Sequence, residues 1–255
     1  MTTHDSLENK ARRFRALHEG DQTFIMPCAW DAMTAHIFET AGFACIGTTS
    51  GGVNWAEGRE DYFYATPRDE MLAAYGRIAR GTELPVSGDL ENGYGDECKD
   101  VADTISRSIA LGMVGGSIED QSVRRPGELI DPILATERIA AARETADAAG
   151  IAYTLTARCE AYFCGIANPY DEAVKRIDAY RRAGADCLFV PGISDVETLG
   201  RLVQDADGPV SFGMGATDTS LTLSVVASLG VRRVSTGGGM ARAAFSFICL
   251  LYTSP

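Results

Sequence analysis

The sequence predicts a single-domain α/β fold, a (β/α)8 TIM barrel. Three observations lead there. A helical stretch that ends in glycine, with an apolar strand starting within a few residues, recurs seven times, at Gly42, Gly81, Gly112, Gly150, Gly184, Gly208 and Gly230. A first strand near Phe24 to Ala29 precedes all seven, which makes eight strands. The chain has 255 residues, a length at which one such barrel commonly runs. Glycine just past a helix can take the left-handed conformation that closes it. Strands alternating with helices imply parallel pairing through right-handed crossovers. A doubly wound open sheet is the runner-up, but it would want a glycine-rich turn after the first strand. Here that turn reads Cys28-Ala29-Trp30-Asp31-Ala32.

In chain order, residues 1–22 are charged and helical in character and are expected to pack across the bottom of the barrel. Residues 23–244 form the barrel. Its second strand is Ala44 to Thr49, its third ends in Pro85-Val86-Ser87-Gly88, and its fourth in Gly115-Gly116-Ser117-Ile118. The fifth is Tyr153 to Ala161. The last three end at Pro191-Gly192, Gly213-Met214-Gly215 and Ser235 to Gly239. The segment from Asp171 to Ala183 shows the helical period well, with Ala173, Val174, Ile177 and Tyr180 on one face. Asp171 stands where an N-cap belongs, after Pro169. The eighth helix starts at Met240 and then loses its polar face. Residues 245–255, Phe-Ser-Phe-Ile-Cys-Leu-Leu-Tyr-Thr-Ser-Pro, read as an atypical tail, expected to be translated read-through on a truncated C-terminal helix region. The other reading is an apolar helix that docks on a partner subunit.

Composition excludes several functions. A net charge of −12 argues against nucleic acid, whose binding depends on clustered Lys and Arg. The only lysines are Lys10, Lys99 and Lys175, and none follows a strand-like run, so Schiff-base chemistry is disfavoured. Seven cysteines without a Cys-x-x-Cys, and no secretory start, fit reduced thiols in the cytoplasm. His4 and His18 lie in the polar N-terminal segment and His36 in a helix, which speaks against a His-rich zinc site. No apolar run reaches the length of a membrane span.

The chemistry should sit in the loops after the strands, where parallel barrels build their sites. Acidic residues stand there: Asp89 and Glu91 after strand three, Glu119 and Asp120 after strand four. On neighbouring strands they converge, and carboxylates that close repel one another unless a cation holds them ionised. Asp89 and Glu91, one residue apart, would point to one side of a strand, which suits two ligands of one cation. Taken alone, such a pair is more often a solvated loop feature. Arg158 ends the apolar fifth strand; it could bind a substrate carboxylate with its planar fork, or form a structural ion pair with Glu160 or Glu119. Ser50-Gly51-Gly52 offers backbone N–H groups to an anion in a tight turn. Trp30 is a packing residue or a pocket wall. Gly237 to Gly239 could cradle a phosphate or be a plain turn.

Together these residues resemble the isocitrate lyase and phosphoenolpyruvate mutase superfamily over residues 20–244, and most of all its phosphonomutase-like group. The landmarks are Pro27-Cys-Ala-Trp-Asp-Ala, Thr48-Thr-Ser-Gly-Gly, Gly88-Asp-Leu-Glu-Asn-Gly-Tyr-Gly, Ser117-Ile-Glu-Asp-Gln and Thr156-Ala-Arg-Cys-Glu-Ala. The resemblance implies Mg²⁺, with Mn²⁺ as a substitute, and a small carboxylate substrate carrying a 2-oxo acid unit. It implies Asp89 as the direct metal ligand, with Glu91 and Glu119 holding waters on the metal, and Asp61 near it, although the Asp61 loop differs in length by about one residue. Trp30, Ser50, Gly51, Gly52 and Asp89 would form the substrate pocket, with Arg158 on the oxo-acid. It also implies a homo-oligomer, a tetramer that swaps C-terminal helices.

Two departures matter. The lyases of the family carry Lys-x-Cys-Gly-His after strand four, with the cysteine as acid/base, and the mutases carry an asparagine there. This chain has Gln121-Ser-Val-Arg-Arg-Pro-Gly-Glu-Leu, with none of these. Glu91 also stands where mutases have Asp. The expectation is a Mg²⁺-dependent carbon–carbon lyase that passes through a pyruvate-like enolate, as in oxaloacetate decarboxylation, with Asp61, Arg158 and Glu119 as catalytic residues. The alternatives are P–C bond chemistry on a phosphonopyruvate-like acid, a phosphate-binding barrel isomerase, and a non-catalytic oxo-acid-binding protein.

Overall fold

The computed structural model describes residues 5–61, 64–215 and 221–253. His4 and the last two tail residues lie outside them. Helix α1 (Leu7–Glu19) comes first, capped by Ser6, whose side chain accepts from Asn9 N. Then come β1 (Phe24–Met26), β2 (Cys28–Ala29), α2 (Ala32–Thr40), β3 (Ile46–Thr48), α3 (Ser50–Ala56), α4 (Arg68–Arg80) and β4 (Val86–Asp89). The middle of the chain gives α5 (Cys98–Ala110), β5 (Gly115–Glu119), α6 (Pro132–Ala148), β6 (Thr154–Arg158) and α7 (Pro169–Arg182). The last part gives β7 (Cys187–Phe189), α8 (Val196–Asp205), β8 (Val210–Gly213), α9 (Leu223–Ser228), β9 (Arg233–Ser235) and α10 (Gly239–Thr253).

All strand pairs are parallel, in the order β1-β9-β8-β7-β6-β5-β4-β3-β2. The two ends of that order, β1 and β2, are consecutive pieces of one strand, parted by Pro27. Proline has no N–H to give a ladder, yet its carbonyl still accepts from Gly47 N at 2.9 Å. The first strand thus pairs with β9 through its first half and with β3 through its second, and the sheet closes as the eight-stranded barrel that the sequence predicts.

Six of the seven junction glycines have positive φ; Gly81, at −83°, does not. Helix α7 begins at Pro169, with Asn168 as N-cap, so Asp171 lies in the first turn and not at the cap. Proline at the first helical position gives up only an N–H that would be unpaired there anyway, and Pro169 sets the boundary.

The main core lies between strands and helices, with Ile46, Tyr75, Ile105, Tyr153, Ile177 and Val234 among its buried members. A second cluster of Ala11, Phe14, Met26, Cys45 and Val114 seals the lower end. There α1 lies across the barrel, and the Phe14 ring comes so close to Gly115 that a Cβ would stand 2.7 Å from it. Helix α10 runs without a break from Gly239 to Thr253, through the described part of the tail segment. It leaves Phe247, Ile248, Leu250 and Leu251 exposed. No helix among the described residues is long and apolar enough to cross a membrane.

Candidate active site

A cavity of about 760 Å³ opens at the carboxyl ends of the strands. Asp89, Arg158, Ser50, Gly51 and Asp61 line it. Glu91, Glu119, Gly52 and Trp30 are not on its lining. The Trp30 ring instead packs toward Phe245 of α10, 6.0 Å between centroids. Gly52 is buried against the side chains of Thr49 and Trp30, where a Cβ would meet Trp30 Cβ at 2.8 Å. Ser50 to Gly52 do not form a tight turn. They are the first turn of α3, because Thr49 acts as its N-cap and accepts from Gly52 N at 3.3 Å.

Strand register brings the charges together. Asp89 on β4 is opposite Ser117 on β5, and Glu119 on β5 is opposite Arg158 on β6. Ser50 donates from its N–H and its hydroxyl to Asp89 Oδ2, both at 3.0 Å. Asp89 N–H donates to Thr48 Oγ1 at 2.9 Å. Arg158 Nη1 lies 2.8 Å from Glu119 Oε1 and 3.8 Å from Asp89 Oδ1, and Nε pairs with Glu160. Arg158 therefore makes the structural ion pairs and faces the cavity at once. Its guanidinium also stands 5.3 Å from the Phe189 ring centroid. The Asp61 carboxylate presses on Gly51, where a Cβ would be 2.6 Å from Oδ2.

Two expectations about the acids are corrected. Glu91 is past the end of β4, at φ 48°, so strand alternation does not aim it. A left-handed turn does, and its Oε2 accepts from Tyr64 N at 3.3 Å. Asp120 turns away from the cluster. Its Oδ2 accepts from the Tyr180 hydroxyl at 2.7 Å and Arg176 at 3.3 Å, and its Oδ1 accepts from Glu160 N at 2.8 Å. Asp120 thereby ties β5 to α7, and this firm anchoring of a buried charge explains its orientation.

Electrostatics makes the cluster costly as it stands. Burial, then the Asp89 charge, pushes the Glu91 carboxyl up to about 8. Burial raises Glu119 well above the carboxylate range, against the pull of Arg158. Burial also opposes the Arg158 charge, but Glu119, Glu160 and Asp89 outweigh it and hold the guanidinium protonated. Asp89 Oδ1 is buried without a hydrogen-bond partner. An acid oxygen left bare beside two strained carboxyls fits a hard divalent cation, which takes oxygen donors. Among the described residues, no three His, Cys, Asp or Glu stand close enough to ligate one ion together. The set therefore fits a cation touching one carboxylate, with the others acting at one remove.

The short loop after β5 is pinned down. Gln121 bridges Leu129, and Asp96 accepts from the Ser122 hydroxyl at 2.6 Å and from Val123 N at 2.8 Å. Arg138, on α6, is 1% exposed and donates to the carbonyls of Glu119, Asn92 and Gly95, which fixes the turns that carry both acids. The sequence reading missed it. The available signal was a charged residue at a core position of the Ala135, Ile139, Ala142 stripe.

A family model described as phosphoenolpyruvate phosphomutase matches residues 14–250. The chain belongs to that family. The superfamily joins it with the isocitrate lyases; its members are carbon–carbon lyases and mutases, and this chain is an enzyme of that superfamily. Among similar proteins, an uncharacterised protein of Mycobacterium tuberculosis is 34% identical over 224 residues, covering 88% of this chain and 81% of the relative. Oxaloacetate decarboxylase 1 of Pseudomonas fluorescens is 31% identical over 244 residues, 92% of this chain and 80% of its own. A solved structure of a lyase/mutase-type protein from Burkholderia cenocepacia is 41% identical with a TM-score of 0.91, covering 97% of this chain and 89% of that one. Family members thus share this barrel and act as lyases or mutases on small carboxylates.

Proposed function

We propose that this phosphomutase-family chain is a Mg²⁺-dependent lyase that breaks a C–C bond next to a 2-oxo acid, with oxaloacetate decarboxylation as the reaction needing the least machinery. The observation that carries this is the bare Asp89 Oδ1, 3.8 Å from Arg158 Nη1, at a cavity on the carboxyl ends of the strands. Similarity to an oxaloacetate decarboxylase at 31% identity supports the substrate class.

Asp89 would hold the cation directly, and Glu91 and Glu119 through water. Bound there, the cation would supply Lewis-acid polarisation of the oxo-acid oxygens. Ser50 fixes the Asp89 carboxylate through Oδ2, which keeps Oδ1 turned to the ion. Arg158 lies beside it and would bind the oxo-acid and stabilise the negative charge that grows when the bond breaks. Gly51 lets Asp61 come in close, and from the cavity lining its charge reaches Glu91, so it would act beside the cation site. With the loop after β5 pinned by Asp96 and carrying no Cys or His, the enolate would take its proton from water. Cys28, Cys45, Cys159 and Cys187 are buried free thiols, which supports a cytoplasmic enzyme.

The second reading is P–C cleavage of a phosphonopyruvate-like acid, which the family description favours. Pyruvate release from oxaloacetate and from phosphonopyruvate, each with Mg²⁺ and with EDTA, separates them. The expected result is Mg²⁺-dependent release, faster from oxaloacetate. A preference for phosphonopyruvate turns the assignment to P–C chemistry, and release from neither sinks both.

A further inference from the structure

The cavity continues below the carboxylate cluster. Its inner wall is made of small side chains, Cys28, Ser87, Ser117 and Ser235. Barrel interiors are ordinarily filled there by branched apolar residues. At the foot stands Arg233, the first residue of β9, 3% exposed and still on the cavity lining. Its Nε donates to Ser211 Oγ at 2.9 Å, and its Nη1 donates to Thr156 Oγ1 at 3.0 Å and lies 3.3 Å from His18 Nε2. These partners are all neutral. Burial, helped by Arg233 itself, lowers His18 to about 3, so the imidazole carries no charge at neutral pH. Among the described residues, no carboxylate lies within ion-pair distance of Arg233, and its Nη2 has no acceptor.

The other buried arginines differ. Arg158 and Arg176 reach carboxylates, and Arg138 is capped by three carbonyls. A desolvated guanidinium without a counter-charge is unfavourable, and one that lines a cavity is relieved when an anion enters. We propose that Arg233 is an anion-recognition residue at the floor of this cavity, taking the distal anionic group of a dianionic substrate whose oxo-acid end lies at Asp89 and Arg158. The inference rests on the oxo-acid reading for the upper end and narrows its substrate class to dianions, a dicarboxylate or a phosphono-carboxylate.

The test is calorimetric titration of the full chain, with Mg²⁺ present, using malate and lactate, which differ by one distal carboxylate. Charged hydrogen bonds of this kind are worth roughly ten- to hundredfold in affinity. Wild-type protein should prefer malate by about that factor, and Arg233→Met should remove the preference while lactate changes by less than about threefold. Equal losses for both ligands, or unchanged malate binding, would overturn the proposal. His18→Gln cuts the tie to α1 but keeps the cation, and it should retain the malate preference; losing it would make Arg233 a structural residue only. If Arg233→Met does not fold, the half-amide of malate serves with wild-type protein. It should bind as weakly as lactate, and binding like malate overturns the idea. A malate preference without any pyruvate release from oxaloacetate or phosphonopyruvate sinks the lyase reading and leaves Arg233 standing. Release without that preference does the reverse.

Discussion

Ser50 spends two donors on one oxygen of Asp89: its N–H and its hydroxyl both reach Oδ2 at 3.0 Å, while Oδ1 is buried with no hydrogen bond. One carboxylate oxygen is therefore held and the other is free. If Asp89 holds a cation as proposed, that asymmetry aims Oδ1 before the ion arrives and limits the reorganisation needed on binding.

Removing the carboxylate tests its role. Asp89→Ala is expected to lower kcat by about 10²–10³ and to abolish the response to added Mg²⁺. Steady-state turnover against Mg²⁺ concentration reads both. Full turnover with an unchanged Mg²⁺ curve would remove Asp89 from the site.

Arg158 holds two buried acids as well as facing the cavity, so its loss has two effects. Arg158→Ala should cut kcat/KM by at least about 10² and destabilise the fold by about 3–5 kcal/mol, because Glu119 and Glu160 are left unpaired. Adding Glu119→Gln and Glu160→Gln to it should restore most of the stability, read by thermal melts, and none of the activity. Recovery of both would make Arg158 purely structural.

The raised Glu91 carboxyl gives stability a definite pH dependence. In the unfolded chain it ionises near the ordinary carboxylate value, while in the folded protein it keeps its proton up to about 8. Between those values the folded state binds more protons, so metal-free stability should fall as pH rises through that window. Glu91→Gln should flatten the slope. A cation favours the ionised form, so Mg²⁺ affinity should rise with pH over the same range, and binding at pH 7 should release protons. Calorimetry in buffers of different ionisation enthalpy measures that release. Mg²⁺ binding without proton release at pH 7 contradicts the assignment of Glu91.

The exposed apolar side chains of α10 bear on the homo-oligomer that the family resemblance implies. Phe247, Ile248, Leu250 and Leu251 are each about 60% exposed or more. If copies of the chain pair through this helix, Ile248→Glu with Leu251→Glu should shift sedimentation toward the monomer. A wild-type monomer at assay concentration would remove α10 as an interface.

Much of this was legible in the chain itself. The barrel follows from glycine-punctuated alternation of helix and strand, since period and punctuation are local properties. Asp89, Arg158 and Glu119 could be found because strand ends in a parallel barrel converge. What escaped depended on backbone detail or on distant partners. Glu91 is aimed by a left-handed φ that spacing does not reveal. Ser50-Gly51-Gly52 reads as a turn until Thr49 is seen capping a helix. Asp120 looks like Glu119's companion in sequence, and only the Tyr180 and Arg176 donors on α7 explain why it turns away. Arg138 and Arg233 look like ordinary charges on helix and strand, and their burial comes from tertiary packing.

The most direct test of the central claim is oxalate binding, because oxalate is a planar dianion that resembles a pyruvate enolate. Oxalate affinity measured by calorimetry should require Mg²⁺ and should disappear in EDTA or in Asp89→Ala. Oxalate that binds equally well with EDTA, or equally well without the Asp89 carboxylate, would contradict a cation-held oxo-acid site in this cavity.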